Sequence, residues 1–256
     1  MAAPSASHWG RARSAVVWEV LTAAIAELGG AVHGGAVHVL DAGGGTGGFA
    51  VPLAALGHRV TVVDPSPDSL ASLERRAAEE APGRTLALTA VQGDLDSLLD
   101  AVEEASVDVV LCHHVLEVVD DPAAGLGSVA AALRPGGIAS VLATNRSAAV
   151  LSRALSGHFA DAAAAMDDPA GRWGAADPTQ RRFGRDELLG LLSGAGLEPF
   201  DVHGVRVFTD LVPGTLVDGD PSAFEALVRL ERLASRRSPY ADVATALHVL
   251  ARRPGR

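Results

Sequence analysis

Two acids and a run of glycines carry the most specific chemistry in this 256-residue chain. Val39-Leu40-Asp41 closes an apolar run, Ala42-Gly43-Gly44-Gly45-Thr46-Gly47-Gly48 follows it, and Val60-Thr61-Val62-Val63-Asp64 comes next. The order reads as strand, glycine turn, helix, strand and acidic tip. Glycines let the backbone turn sharply and approach a ligand with no Cβ in the way, and an acid ending the next strand can accept hydrogen bonds from ribose hydroxyls. Such a pattern builds a nucleotide-type cofactor site.

Two cofactors compete for it. Gly43, Gly45 and Gly48 satisfy G-x-G-x-x-G with Asp64 about twenty residues beyond, which is the dinucleotide fingerprint. Asp41 argues the other way. An acid at the end of the first strand would crowd a pyrophosphate, but it suits a ligand carrying a cationic sulfonium and ammonium, which is S-adenosylmethionine. Three later segments fall where a class I methyltransferase has its own. They are Gly93-Asp94-Leu95 after the third strand, Leu111 to Val118 leaving the fourth, and Leu133-Arg134-Pro135-Gly136-Gly137 before the fifth. S-adenosylmethionine is therefore the expected cofactor, with a nicotinamide dinucleotide as the alternative.

These residues need a scaffold, and the chain is long enough for one. With 48% hydrophobic residues it can bury one substantial core. No apolar run approaches a membrane span, and Met1 to Gly10 lacks a basic end followed by an apolar core, so a cytoplasmic protein is expected. The one cysteine, Cys112, excludes an intramolecular disulfide and ends an apolar run, where it reads as a small buried hydrophobe. All 21 basic residues are arginine and the net charge is −10, which argues against nucleic acid. The distribution softens this: residues 1–145 hold 17 acids and 7 arginines, whereas 146–256 hold 14 of each. The pairs Arg181-Arg182, Arg236-Arg237 and Arg252-Arg253 all lie late and read most simply as solvated faces.

The apolar spacing predicts a helix over Ser14–Leu28 stopping at Gly29-Gly30. Strands at Val37–Asp41, Val60–Asp64, Leu86–Val91, Val107–Cys112 and Ile138–Ala143 then alternate with helices, which implies right-handed crossovers and a parallel sheet. Residues 146–184 break the rhythm as an alanine-rich insertion. A helix at Arg185–Ala195, a strand at Leu197–Phe208, a helix at Ser222–Ser235 and a strand at Ala246–Ala251 complete the pattern. The expected fold is α/β: a doubly wound, seven-stranded, mostly parallel Rossmann-like sheet with an antiparallel edge and a helical insertion before the last two strands. As one domain it divides into an N-terminal helix (1–30), a cofactor-binding half (36–145), an insertion or lid (146–184) and a substrate-side half (185–256).

From Gly10 to Arg252 the chain resembles the bacterial tRNA 5-carboxymethoxyuridine methyltransferases. The resemblance includes Gly10-Arg11-Ala12-Arg13 with Trp18, the Val39–Gly45 block, Gly57-His58, Val115-Leu116-Glu117-Val118 with Asp121-Pro122, and Leu133–Gly137. It continues through Asn145, Gly204-Val205-Arg206-Val207-Phe208-Thr209-Asp210, Phe224–Leu227 with Leu230-Glu231, Pro239-Tyr240, and His248-Val249 before Ala251-Arg252. The C-terminal blocks are its specific part. Family members carry a lysine-rich stretch in the insertion, whereas here that region is alanine-rich and holds no lysine, with Arg172, Arg181 and Arg182 among its basic residues.

The resemblance implies roles. Arg13 would reach the methionine carboxylate of the cofactor. Gly43, Gly44 and Gly45 would offer backbone beside its methionine and sulfur, and Asp64 with Pro65 would take the ribose. Asp94 and Leu95 would bracket the adenine, and His113 would lie near the amino acid part. Asn145, Arg206, Phe208 and Tyr240 would face the acceptor. Two alternatives stand beside these roles: Asp94 as a helix N-cap, and His113 and His114 as packed or solvent-facing side chains. No metal is expected, since adjacent strand residues point to opposite faces and no companion ligands are apparent.

Methyl transfer is an in-line displacement at a carbon already activated by a sulfonium, so alignment and exclusion of water matter most. A carboxylate acceptor is ionised at neutral pH and needs no general base. It does need a planar cation to aim one oxygen, and Arg206 is the candidate because guanidinium matches carboxylate bidentately. Its plainer role is pairing with Asp210. Phe208 and Tyr240 could stack on a flipped base or simply fill core. The expected function is methylation of the carboxylate of 5-carboxymethoxyuridine in tRNA. Small-molecule O- or N-methyl transfer is the nearest rival, and a cofactor-binding scaffold without turnover is a further one.

Overall fold

The computed structural model describes residues 5–31, 35–217 and 220–255, with side chains described over 13–29, 35–217 and 220–255. Gly10, Arg11, Ala12 and Gly30 lie outside the described side chains. The elements follow the expected alternation: α1 (Ser5–Ala31), β1 (His38–Ala42), α2 (Ala50–Ala55), β2 (Arg59–Asp64), α3 (Pro67–Glu80), β3 (Leu88–Gln92), α4 (Leu98–Ala101), β4 (Val107–His113), α5 (Pro122–Ala132) and β5 (Leu133–Thr144). The insertion forms α6 (Arg146–Leu155) and α7 (Phe159–Asp167). Then come α8 (Arg185–Gly194), β6 (Glu198–Val205), α9 (Pro221–Ala234) and β7 (Ala246–Arg252).

The strands make one seven-stranded sheet in the order β3-β2-β1-β4-β5-β7-β6. β1 pairs in parallel with β2 on one side and β4 on the other, with Asp41 level with Val62 and Leu111. All five residues of β1 are buried, as a central strand covered on both faces requires. The order changes direction beside β1, and in such sheets ligands bind beyond the carboxyl ends of the strands at that point. Hydrogen bonds from Gly136 N to Arg253 O and from Asn145 N to Thr245 O set β7 antiparallel to β5. The antiparallel strand thus sits one in from the edge, and β6 is the edge strand.

Local chemistry sets the helix starts. Ser66 Oγ accepts from Ser69 N and Pro67 opens α3. The Asp121 carboxylate accepts from Ala123 N and Ala124 N with Pro122 opening α5. The Pro135-Gly136-Gly137 turn falls inside β5, where the register against β4 shifts between Val107 and Val109.

Several boundaries differ from expectation, and the ends of α1 and β6 do so for a visible physical reason. α1 runs past Gly29 to Ala31. A Cβ on Gly29 would lie 2.8 Å from the Gly35 carbonyl oxygen, so this glycine permits a close chain approach instead of ending the helix. β6 ends at Val205, short of Phe208. Arg206 turns into the left-handed region at φ 61°. The next three amides, of Val207, Phe208 and Thr209, then donate to the buried Glu231 carboxylate at 2.8, 2.9 and 2.6 Å. An apolar pattern cannot show that a carboxylate 22 to 24 positions further along the chain will claim those donors.

The chain divides into two compact units. The larger comprises Ala23–Leu142, Leu189–Asp201 and Val249–Arg256, and contains β1 to β4 with their helices. The smaller comprises α1 as far as Thr22, Ala143–Leu188 and Val202–His248, and contains α6, α7 and α9.

Candidate functional site

In the larger unit the glycine turn is folded over the ends of β1 and β2. Gly43, at φ 72°, donates its N–H to Val63 O at 2.7 Å. Gly45 N donates to Asp64 Oδ2 at 2.8 Å, and Ser66 N donates to Oδ1 at 2.9 Å. Asp64 therefore holds the turn in place, and a carboxylate with about four lone-pair sites keeps capacity for a diol. A Cβ on Gly43 would come within 2.4 Å of Val115 Cγ2, and one on Gly44 within 2.7 Å of the Asp41 carboxyl.

Gly43, Asp64, Pro65, Asp94, Leu95 and His114 line one cavity of about 420 Å³, within the roughly 300–1,000 Å³ of small-molecule sites. Five of these six are residues expected to hold the cofactor. Asp94 also closes the turn before α4, its Oδ1 accepting from Ser97 N at 3.0 Å and Ser97 Oγ at 2.9 Å. The Ser97 hydroxyl, and then its amide, hold the Asp94 carboxyl below its ordinary range. Capping and cavity lining are thus one arrangement.

Asp41 is only 4% exposed. Burial, and then the charge of Asp64, push its carboxyl up to about 7. A buried acid beside a glycine cradle is stabilised in its charged form by a cation, which is what the ammonium and sulfonium of S-adenosylmethionine supply. The donor set fits that cofactor: backbone for the methionine part, a carboxylate for the ribose, and Asp94 with Leu95 for the base.

His113 does not line the cavity as the resemblance implied. It packs edge-on against Phe49 with ring centroids 4.8 Å apart, and its Nε2 lies 2.9 Å from Ser140 Oγ. Burial, and then the neighbouring His114, drive its imidazole down to about 3, so it is neutral. Its neighbour takes the cavity position because the chain turns left-handed there, at φ 58°. His114 Nδ1 lies 2.9 Å from Oε1 of the buried Glu117. The i, i+3 spacing of His114 and Glu117 was the signal for this pair.

The smaller unit gathers the residues expected at the acceptor. Asp210 lies between two arginines, with Arg13 Nη2 at 3.1 Å and Arg206 Nε at 3.5 Å. Arg13 thus meets a carboxylate of its own unit, and Arg206 makes the pairing that was its plainer role. Glu231, 1% exposed, clamps the turn that carries Arg206. Asn145 is spent structurally. Its Nδ2 donates to the carbonyls of Asp242 and Ala244 at 2.9 and 2.8 Å, and its Oδ1 accepts from Ser147 N at the start of α6. Phe208 packs on Val207, Ala234 and Ala244, and its ring lies 6.1 Å from that of the half-exposed Tyr240.

Asn145, Arg153, Trp173, Arg182 and Asp210 help to line a cavity of about 340 Å³ in this unit. Trp173, Arg153 and Arg182 were not expected there. Trp173 contacts both guanidinium groups, with the Arg153 Cζ 3.8 Å and the Arg182 Cζ 4.1 Å from the ring centroid. Among the described residues no cluster of His, Cys, Asp or Glu could hold a metal ion, and no helix is long and apolar enough to cross a membrane.

A parallel-dominated seven-stranded sheet with a glycine turn after β1, an acid after β2 and a cavity at their carboxyl ends defines the Rossmann-like methyltransferases. A methyltransferase domain model matches residues 40–139. Among solved structures, an S-adenosylmethionine-dependent methyltransferase from Mesorhizobium loti shares the fold, with a TM-score of 0.61 at 21% identity over 93% of this chain and 98% of that one. Magnesium protoporphyrin IX methyltransferase from Synechocystis PCC 6803 with bound SAH does so with a TM-score of 0.58 at 16% identity, covering 96% of this chain and 83% of that one. The tRNA 5-carboxymethoxyuridine methyltransferase of Escherichia coli (strain K12) is 31% identical over 96% of this chain and 89% of its own length. The ubiquinone biosynthesis O-methyltransferase of Methylocella silvestris is 34% identical over 70% of this chain and 64% of its own. The chain belongs to the S-adenosylmethionine-dependent methyltransferases, in the family of the bacterial tRNA 5-carboxymethoxyuridine methyltransferases. It is an enzyme whose cofactor is S-adenosylmethionine.

Proposed function

We propose that this methyltransferase esterifies a carboxylate, that of 5-carboxymethoxyuridine in tRNA. The observation that carries the reading is the Arg13–Asp210–Arg206 cluster, in which two guanidinium groups flank one carboxylate and one positive charge is left over. A second carboxylate, supplied by the acceptor, balances that charge. Fork-shaped donors fix an acceptor oxygen better than a point charge does. The backbone under Arg206 is held by three amide hydrogen bonds to Glu231, so the guanidinium is presented from a fixed turn.

S-adenosylmethionine supplies an activated methyl group, and the chain's part is binding, orientation and exclusion of water. Gly43, Gly44 and Gly45 would hold its methionine part against Asp41, Asp64 would take the ribose hydroxyls, and Asp94 with Leu95 the adenine. An ionised acceptor oxygen attacks without losing a proton. Arg206 orients it through the guanidinium that Asp210 steadies, and Asn145 braces the cavity that Asp210 helps to line. A tRNA acceptor places the enzyme in the cytoplasm.

Replacing Arg206 by alanine tests the role. Turnover on carboxymethoxyuridine falls by about a hundredfold, as for a lost charge-assisted bidentate contact, while S-adenosylhomocysteine affinity stays put. Unchanged turnover removes Arg206 from the acceptor site.

One observation favours a small-molecule acceptor instead. The smaller unit holds 13 acids and 13 arginines and is neutral, while the larger, with 18 acids and 8 arginines, carries the whole charge of −10. Phosphate contacts supply most non-specific RNA affinity, and neither unit has a cationic excess. The ubiquinone O-methyltransferase relatives fit that reading. Methyl transfer to a dihydroxybenzene with none to tRNA would establish it.

A further inference from the structure

We propose that the cavity of the smaller unit is an oxyanion pocket for the acceptor, with Arg153 as the group that reads the anion. That the pocket serves the acceptor rests on the carboxylate reading above. That it binds an oxyanion rests on its own geometry.

Arg182 and Arg153 share the Trp173 ring but stand in different states. Arg182 is buried, and its fork is used up on the equally buried Asp177, through Nη1–Oδ2 at 2.6 Å and Nη2–Oδ1 at 3.0 Å, with Nη1 also donating to Gly171 O at 2.9 Å. That pair is neutral and rigid. Asp177 also accepts from the backbone N–H of Trp173 at 3.1 Å, which anchors the main chain that carries the indole.

Arg153 lies on this platform from α6 with its side chain part exposed. Asp161 makes a loose ion pair with it at 3.7 Å, too long for a hydrogen bond, so the charge has a partner while no N–H is spent on that carboxylate. With its Cζ 3.8 Å from the ring centroid, the guanidinium is held by attraction between its charge and the ring face, a contact that needs no hydrogen-bond acceptor. The stack therefore limits the freedom of the side chain without using its donors. Ser152, Ser156 and Thr245 line the same space, and their side chains carry hydroxyls of the kind that complete the shell of a carboxylate or phosphate. Asp210, the acid on this wall, is already matched by Arg13 and Arg206.

The shared chemistry is an oxyanion on a flat acceptor, either the acceptor's own carboxylate or the phosphate of its nucleotide. The test is calorimetric titration of enzyme saturated with S-adenosylhomocysteine, using phenoxyacetate for the carboxylate and uridine 5′-monophosphate for the phosphate. Phenoxyacetamide and uridine are the uncharged controls. The wild type should prefer at least one acid over its control by about tenfold or more, and Arg153→Met should abolish that preference. Loss with phenoxyacetate assigns the carboxylate, and loss with the monophosphate assigns the phosphate. Arg153→Lys, which keeps the charge but not the fork, should fall between, and serves as the second variant if Arg153→Met does not fold.

Equal binding of acid and control by the wild type, or a preference that survives in both variants, overturns the inference. The carboxylate reading fails separately. Unaltered KM for tRNA in Arg153→Met with ester still formed sinks the oxyanion pocket alone. Arg153-dependent oxyanion binding with no ester on tRNA sinks the tRNA reading alone.

Discussion

Asp41→Asn should make the protein more stable at alkaline pH and no more stable in acid. Burial, and then Asp64, hold the native carboxyl at about 7 against an ordinary value of 3.8. Below about pH 4 both folded and unfolded chains keep this proton, and the contribution is complete. From there to about pH 7 the unfolded chain releases the proton while the native chain keeps it, so the native state binds more protons and stability falls as pH rises. The slope approaches about 1.4 kcal/mol per pH unit, and the gap between 3.8 and about 7 amounts to about 4 kcal/mol. Asparagine has the same shape and no such titration, so the difference between variant and wild type isolates Asp41 from every other group. Urea unfolding of both proteins at half-unit steps from pH 5 to 9 measures it. The variant should gain on the wild type steadily through pH 5 to 7 and then level off. A difference that is flat with pH refutes the argument, because it would mean that Asp41 is already ionised in the native state. A cation beside Asp41 favours its charged form, so S-adenosylmethionine should gain on uncharged-sulfur S-adenosylhomocysteine as the pH rises from 6 to 8.

Two other perturbations follow from the same geometry. A Cβ on Gly44 would meet the Asp41 carboxyl at 2.7 Å and Val62 Cγ1 at 2.8 Å, so Gly44→Ala should cost about 1–3 kcal/mol in denaturant unfolding and abolish S-adenosylhomocysteine binding by calorimetry. Intact binding would show that the turn is not the cradle. Glu231 accepts three backbone amides and the Thr209 hydroxyl inside the smaller unit. Glu231→Gln turns an acceptor into a donor there and should cost about 3 kcal/mol while lowering turnover through Arg206. A loss of stability with normal turnover would limit Glu231 to the fold.

The cofactor half was readable from the chain because its constraints are local. Glycines at positive φ, proline at helix starts and acids at strand ends each announce a backbone geometry within a few residues. The smaller unit was less readable because its contacts are long-range. Asn145 was expected to touch the acceptor, yet it clamps carbonyls about a hundred positions away. The end of β6 is set by Glu231, and no periodicity in Leu197–Phe208 foretells that. Arg153, Trp173 and Arg182 come together through an insertion whose alanine-rich composition suggested a lid but gave no sign of contacts among these three. His113 and His114 could not be told apart in sequence, since which of them meets the cavity depends on one left-handed residue.

The central claim is tested most directly by incubating the enzyme with deuterated-methyl S-adenosylmethionine and tRNA lacking the ester, then digesting to nucleosides for mass spectrometry. A labelled methyl ester on 5-carboxymethoxyuridine is the predicted result. Unlabelled tRNA from an enzyme that still binds S-adenosylhomocysteine would contradict the account and leave a small-molecule acceptor.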